Sequence, residues 1–418
     1  MPNNLQDLTV LVWDTGSYVD VAQRLARDFG KVKYFVPWVS GFPKSIGLAV
    51  GTGLDDIERV EYFWDEVDSA DLIVFCDVYA QDMEVYLRAQ GKNVWGMGRS
   101  ANLELERWDT RVLQNRLGMP VPETKRFIGM DALIAHLKTV ENKYVKVSKF
   151  RGDMETRRHE KFWLSKNFFE DLDATLGEQA DKEEFLVEGE IEGTEVGFDA
   201  WTIDGQYPSM ALYGYEIKDM GYVGHVVPYE KLAEGIRFTN EKLAPIFKKN
   251  GSRGFYSNEI RIDDKKVPYL IDPTIRCPSP PIEGEMEMYG NLAEIMWEGS
   301  QGRLVVPKPL AKYCTIAMMY SDSAGKQWVP IEVQEKDRQW VKIKNACMMN
   351  GHYYSVPYNQ GHTEIGAVVG IGDTLQESID KVKKIAENVH APDIDIHIES
   401  IDKALDVIKE GKKVGIEF

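Results

Sequence analysis

Short apolar runs alternate with helical patterns over the first hundred residues, and this alternation constrains the fold more than any other feature. Residues 8–13, 70–76 and 93–96 have the pattern of strands buried on both faces, and residues 19–29 and 83–90 have helical spacing. Strands that alternate with helices predict an α/β domain with a doubly wound parallel sheet. The turn after the first strand lacks G-x-G-x-x-G, so a dinucleotide site has little support.

Composition and charge exclude several classes of protein. The 418 residues carry 67 acidic and 50 basic side chains, a net charge of −17, which disfavours broad nucleic-acid binding because it repels a phosphate backbone. No run of about 18 apolar residues predicts a membrane span, and the N-terminus lacks the pattern of a secretion signal. Four widely spaced cysteines without a C-x-x-C pair predict reduced thiols in a cytoplasmic protein and argue against structural zinc.

The length of the chain and its helix-stop signals predict about three domains, at roughly 150 residues each. Glycine and prolines close a charged helix at residues 103–117, and Pro307 and Pro309 precede the last part of the chain. In that part, Thr374 and Glu377 have the spacing of a capping box. We therefore expect an N-terminal domain at residues 1–100, a central domain at 101–308 with a lid at about 123–185, and a C-terminal domain at 309–418.

Two segments of the central part have patterns that suit a nucleotide. Lys146 lies on an apolar strand that enters a polar turn, where a lysine can hold phosphates as a point charge. Glu188 and Glu195 flank a glycine-interrupted bend that could present backbone groups to a purine and a carboxylate to ribose hydroxyls. Each segment taken alone also fits a solvated strand lysine or a solvated acidic turn.

A third segment brings two carboxylates together. Glu259 and Asp272 lie on two strands joined by a polar turn, so a hairpin would place them side by side. Paired carboxylates need a cation between them, and Mg²⁺ prefers oxygen ligands. Asp272, Thr274 and Arg276 alternate along the strand and share one face, which suits Mg²⁺ and phosphate. The alternative is a surface ladder of salt bridges.

The order of these segments resembles the ATP-grasp superfamily, and within it glycinamide ribonucleotide synthetase (phosphoribosylamine–glycine ligase), over nearly the whole chain. Gly118-Met119-Pro120 is similar to that family's Gly-Ile-Pro, and residues 367–378 are similar to its C-terminal strand, turn and helix. The resemblance implies an ATP-grasp fold with an N-terminal Rossmann-like domain and a small C-terminal α/β cap. It also implies the use of ATP and of Mg²⁺ or Mn²⁺.

The resemblance also implies roles for single residues. Those expected to bind ATP are Arg107, Lys146, Lys149, Gly152, Glu188, Ile191 and Glu195. Those expected to hold the metal ion are Glu259, Asp272 and, as a weaker ligand, Thr274. Those expected to face the transferring phosphoryl group or the substrates are Arg276, Lys218 and His225, of which the last two lie where the family has an acceptor-side loop.

In the reaction that the resemblance implies, a carboxylate attacks the γ-phosphate of ATP and an amine then displaces phosphate from the acylphosphate. The departures concern mainly the acceptor side, because the first turn, at residues 16–20, lacks the family's Arg and His. At the metal site, Thr274 replaces the family's Asn. We therefore expect a ligase, monomeric or homodimeric, that joins a small carboxylate, such as an amino acid, to a small amine. These substrates should differ from phosphoribosylamine and glycine.

Two alternatives to this function stay open at this point. The first is an ATP-grasp ligase that acts on an unusual nucleotide, a modified base or a polyamine. The second is a nucleotide-binding protein without turnover, against which the retained Glu259, Asp272 and Arg276 argue. A nucleophilic role for Cys277 is disfavoured because no accompanying His pattern is present.

Overall fold

The computed structural model describes residues 4–37, 49–149, 156–357 and 363–418. Strands β1 to β21 run, in chain order, over Thr9–Trp13, Lys31–Phe35, Glu58–Arg59, Leu72–Phe75, Val94–Trp95, Thr124–Ile128, Lys143–Val147, Thr156–His159, Glu184–Gly189, Thr194–Ile203, Met210–Ile217, Gly221–Pro228, Arg253–Ile262, Pro268–Thr274, Tyr313–Ser321, Val329–Ile331, Val341–Ile343, Ala346–Met349, His352–Ser355, Glu364–Gly372 and Ile394–Ile396. Helices α1 to α12 run over Val19–Ala26, Phe63–Glu66, Gln81–Ala89, Asn102–Leu105, Arg107–Arg116, Met130–Leu137, Phe162–Leu176, Glu234–Asn250, Pro281–Met288, Leu292–Ser300, Leu375–Ala386 and Glu399–Lys413.

The first hundred residues form the predicted parallel sheet, with the strand order β3-β2-β1-β4-β5. Val10, Leu11 and Val12 of β1 are all completely buried although successive side chains point to opposite faces. A strand covered on both faces is what a continuous apolar run predicts. The α/β fold class and the alternation of strands with helices are therefore confirmed.

The lid segment forms an antiparallel sheet of its own, with the order β6-β9-β7-β8. Helices α6 and α7 cover one face of this sheet through a separate hydrophobic cluster that includes Met130, Leu133, Phe169 and Phe185. A module with its own core can hold its strands in register independently of the larger sheet. Lys146 lies on β7 and Glu188 on β9, which are neighbours in this module.

The largest sheet has nine strands and continues across the central and C-terminal parts of the chain. Its order is β14-β13-β10-β11-β12-β15-β20-β17, with β21 pairing to β15 outside this path. Because β12 pairs directly with β15, the expected boundary at residue 308 lies between two strands of one continuous sheet. Helices α9 and α11 pack against β15 and β20.

Local helix signals are largely reproduced in the structure. Thr374 and Glu377 form the predicted capping box at the start of α11. The single helix expected over residues 103–117 is divided, because the backbone of Glu106 leaves the helical conformation between α4 and α5. Among the described helices, none combines the length and the apolar character that crossing a membrane requires.

Candidate active site

A cavity of about 430 Å³ lies where the nine-stranded sheet meets helix α5, the N-terminal domain and the C-terminal strands. Its walls include Tyr18 from the N-terminal domain and Lys344 and Glu364 from the C-terminal part. Seven of the residues predicted from the sequence line it, namely Arg107, Glu195, Lys218, Glu259, Asp272, Thr274 and Arg276. Residues from five widely separated segments, around 18, 107, 195–218, 259–276 and 344–364, therefore meet in one place.

The predicted carboxylate pair is formed by the hairpin of β13 and β14. Glu259 and Asp272 are register partners, and the register shifts immediately after Glu259. Burial and the neighbouring carboxylates of Glu216 and Glu195 raise the pKa of Glu259 well above its usual value. No side chain within the described residues forms a hydrogen bond or ion pair with Glu259, so its carboxylate fits a cation.

Asp272 faces two cations on its other side. The Nη1 of Arg107 donates to its Oδ1 at 2.6 Å, and the Nζ of Lys146 donates to its Oδ2 at 2.8 Å. Burial raises the pKa of Asp272, but these cations more than offset that effect and hold the pKa below the usual value. The residues expected at the phosphates of ATP thus lie beside the residue expected at the metal ion.

Glu188 takes part in a buried ion pair that sequence reasoning missed. The Nε and Nη2 of Arg111 donate to its two carboxylate oxygens at 2.5 and 3.0 Å. Arg111 also donates to the carbonyl oxygens of Leu270 and Ile271 on β14, at 3.0 and 2.9 Å. Burial raises the pKa of Glu188, but Arg111 and Lys146 lower it by a larger amount, so the net pKa lies below the usual value. Arg111 therefore ties the lid sheet to the large sheet.

The predicted ribose and adenine residues have neighbours of a different kind. Glu195 lines the cavity and forms an ion pair with Arg261. The carbonyl oxygen of Ile191 accepts a hydrogen bond from the Nη1 of Arg261 at 3.0 Å. Ile191 lines a second cavity of about 590 Å³, beside Glu190 and Glu192. Glu195 and Ile191 thus line two different cavities.

Arg276 is held in place by residues that were not singled out in the sequence. Its Nε donates to Glu104 at 2.9 Å and its Nη1 donates to the hydroxyl of Tyr18 at 2.8 Å. Glu104 also accepts a hydrogen bond from the backbone N–H of Ile275 at 2.8 Å. Cys277 is buried, and burial raises the pKa of its thiol.

The structure does not bring His225 to the cavity. Its ring stacks on Tyr313 with centroids 4.3 Å apart and touches Phe418. The hydroxyl of Tyr222, on the same strand, instead donates to Asp199, and both line a small pocket next to Glu195 and Glu259 of the cavity. Residues 222 and 225 are an odd number apart on β12, so their side chains point to opposite faces. The hypothesis that His225 faces substrate is therefore not supported by its position.

Three predicted residues remain, Lys149, Gly152 and Lys218, of which the structure describes Lys149 and Lys218. Lys218 follows β11 and lines the cavity. Lys149 is exposed, and its backbone N–H donates to the carbonyl of Leu105 at 2.8 Å. Gly152 lies outside the described residues, as does the rest of the segment at 150–155.

The donor set fits a magnesium ion that arrives with a nucleotide. Within residues 4–37, 49–149, 156–357 and 363–418, no group of three or more His, Cys, Asp or Glu side chains is arranged to hold a metal ion. Glu259 and Asp272 supply two carboxylates, and Mg²⁺ typically takes one or two from the protein and its other ligands from phosphates and water. The two carboxylates therefore suit an ion that is also bound by the phosphates of a nucleotide better than an ion held by the protein alone.

Comparison with solved structures identifies the fold. The chain is similar to phosphoribosylamine–glycine ligase from Thermotoga maritima, with a TM-score of 0.72 and 15% identity over 94% of this chain and 100% of that one. It is also similar to the biotin carboxylase domain of 2-oxoglutarate carboxylase from Hydrogenobacter thermophilus, in complex with MgADP, ADP and bicarbonate. The TM-score is 0.66, with 12% identity over 97% of this chain and 98% of that one. L-amino acid ligase from Bacillus licheniformis is a third similar structure, with a TM-score of 0.58 and 14% identity over 92% of this chain and 98% of that one.

These similarities show that the chain has the ATP-grasp fold, as the resemblance in its sequence implied. No protein-family model and no curated protein sequence matches the chain.

Proposed function

We propose that this chain is an ATP-dependent ligase that joins a carboxylate to an amine through an acylphosphate. The observation that carries the proposal is the position of Asp272, which lies beside Glu259 on one side and between Arg107 and Lys146 on the other. Carboxylates for a metal ion next to cations for phosphates are what phosphoryl transfer requires of a protein. The ATP-grasp fold and the kinds of enzyme that share it support the same reaction class.

The nucleotide end of the cavity supplies charge neutralisation and positioning. Glu259 and Asp272, with Thr274 as a weaker ligand, would hold the Mg²⁺ that enters with ATP, and the bound ion would supply neutralisation of the negative charge on the phosphoryl oxygens. Arg107 and Lys146 stabilise the negative charge of the phosphates at short range. Both cations are buried, so their attraction to the phosphates is screened little by water and salt.

The acceptor end orients the reacting carboxylate. We assign this role to Arg276, because Glu104 and Tyr18 hold its guanidinium at the wall of the cavity and a fixed guanidinium matches the geometry of a carboxylate or phosphoryl group. The substrate carboxylate attacks the γ-phosphorus and ADP departs. The amine then attacks the acyl carbon, and phosphate leaves with the electrons of the broken C–O bond. Starting from an ammonium ion, one proton passes to the phosphate and one to solvent.

The test is phosphate release from Mg·ATP in the presence of a panel of carboxylates and amines. Wild-type protein should release phosphate only when both substrates are present, and Asp272→Asn should lower the rate by at least about 100-fold. Asp264→Asn is the matched control, because Asp264 lies exposed in the turn between the same two strands. Circular dichroism should show that Asp272→Asn is folded. Near-normal turnover by folded Asp272→Asn would overturn the proposal.

A further inference from the structure

One wall of the cavity is built by strands that the nucleotide site does not use. Met318 and Tyr320 come from β15, Glu364 begins β20, and Lys344 directly follows β17. Tyr320 and Glu364 are register partners, next to a register shift after Met319. All four side chains line the cavity that also contains Arg276, so this C-terminal wall faces the acceptor end.

A close approach of two strands brings Lys344 and Glu364 together. The backbone N–H of Lys344 donates to the carbonyl of Ile365 at 2.9 Å. At Gly366, which has a φ of +147°, a Cβ atom would lie 1.8 Å from the carbonyl oxygen of Lys342, so only glycine allows β17 to lie this near to β20. Lys344 and Glu364 consequently form an ion pair.

The ion pair is fixed on one side and open on the other. The Nζ of Lys344 donates to the hydroxyl of Ser279 at 3.0 Å, and that hydroxyl donates to Glu283 at 2.7 Å. The side chains of Lys344 and Glu364 are 16% and 23% exposed, and both line the cavity. A small molecule in the cavity can therefore reach a positive and a negative group that are already oriented.

The charges of this wall balance, which bears on the substrate that it accepts. Of the four residues of this wall, only Lys344 and Glu364 are charged, and they form an ion pair with each other. A phosphate monoester of charge near −2 needs surplus positive charge for its recognition, and the wall offers none. A zwitterion needs one group of each sign, and this is what the Lys344–Glu364 pair presents.

We infer that the amine substrate is a small amino acid without a phosphate group, recognised by Lys344 and Glu364. Lys344 donates to its carboxylate, which is anchored and not activated, and Glu364 accepts a hydrogen bond from its amino group. The two residues thereby determine specificity by charge, while the carboxylate that reacts with ATP lies at Arg276. This inference rests on the proposed ligase function and adds the chemical class of its acceptor.

Competing amines in the same phosphate-release assay provide the test. The panel contains amino acids, the corresponding amines that lack the carboxylate, and amines that carry a phosphate, each with Mg·ATP and a panel of carboxylates. Wild-type protein should use an amino acid with a kcat/KM about 10- to 100-fold higher than its decarboxylated analogue, because one charged hydrogen bond is lost. Lys344→Met should lose this preference, Lys344→Arg should keep most of it, and Glu364→Gln should raise the KM for all amines.

Controls separate recognition from folding and from the ligase function itself. Lys326→Met, which changes an exposed lysine in a turn, should match wild type, and Lys344→Met should bind Mg·ADP within about twofold of wild type, since the nucleotide residues are unchanged. If wild type prefers a decarboxylated or phosphorylated amine, or if folded Lys344→Met keeps the preference, the inference fails and the ligase function stands. If wild type releases no phosphate with any pair of substrates, the proposed function fails as well.

Discussion

Replacing Arg111 with methionine should destabilise the junction between the two sheets far more than any exposed substitution on helix α5. Arg111 makes five hydrogen bonds, including two to Glu188 and two to carbonyl oxygens of β14. Methionine fills a similar volume but removes all five donors. Glu188, whose side chain is only 6% exposed, would then be a buried carboxylate with one cation, Lys146 at 3.8 Å.

The magnitude follows from the desolvation of Glu188. Removing one partner of a buried ion pair typically costs 3–5 kcal/mol, because the remaining charge is left uncompensated. Lys146 compensates part of that charge, so we expect a loss of about 3 kcal/mol. Replacing both Arg111 and Glu188 by apolar residues of similar size removes the unpaired charge, and the double variant should therefore lose less stability than Arg111→Met alone.

Hydrogen exchange of the amides in α5 and β9 measures this local stability without requiring the whole chain to unfold in one step. The free energy of opening should fall by about 3 kcal/mol in Arg111→Met. Arg116→Met is the matched control, because Arg116 is exposed on the same helix, and should change it by less than about 0.5 kcal/mol. A loss below about 1 kcal/mol in Arg111→Met, or additive losses in the double variant, would refute this reasoning.

Two further substitutions probe the surroundings of Tyr222, which contacts both Asp199 and Gly214. Burial raises the pKa of Asp199 to about 6, so the folded chain keeps the proton of this carboxyl group to a higher pH than the unfolded chain does. The free energy of unfolding therefore falls as the pH rises from about 4 to 6. Asp199→Asn should therefore gain about 1 kcal/mol over wild type between pH 5 and pH 8 in thermal unfolding, whereas exposed Asp264→Asn should show no such trend. Gly214→Ala would place a Cβ atom 2.2 Å from the ring of Tyr222 and should cost about 1–3 kcal/mol. Gly189→Ala, with its nearest contact at 3.7 Å, is the control, and equal losses in the two alanine variants would contradict the steric account.

The features that could be predicted from the sequence are those that depend on neighbours along the chain. The apolar runs around β1 and β4 predict buried parallel strands because a sequence of this kind can be satisfied only when both faces are covered. The capping box of Thr374 and Glu377 requires only a three-residue spacing. The pairing of Glu259 with Asp272 follows from one hairpin. Seven of the residues that line the cavity were predicted from such local patterns together with the resemblance to the ATP-grasp superfamily.

Other features depend on segments that are far apart in the chain. Arg111 and Glu188 are separated by 77 residues, and Arg276 and Tyr18 by 258. No spacing or periodicity predicts such contacts, since they exist only when separate sheets and helices pack against one another. The same reason explains His225, whose residue type suited the acceptor site but whose face of β12 is turned away from the cavity.

The sequence by itself therefore determined the alternation of strands and helices in the N-terminal part and the hairpin of carboxylates, whereas the residues proposed for Mg·ATP stay a prediction. These are consequences of local spacing and of the chemistry of single side chains. Only the tertiary structure decided which cations pair with Asp272 and Glu188, and that Lys344 and Glu364 line the same cavity as Arg276. Those arrangements arise where strands and helices from distant parts of the chain enclose one cavity. The free energy of such contacts depends on distance and burial in space, which the order of residues along a chain does not contain.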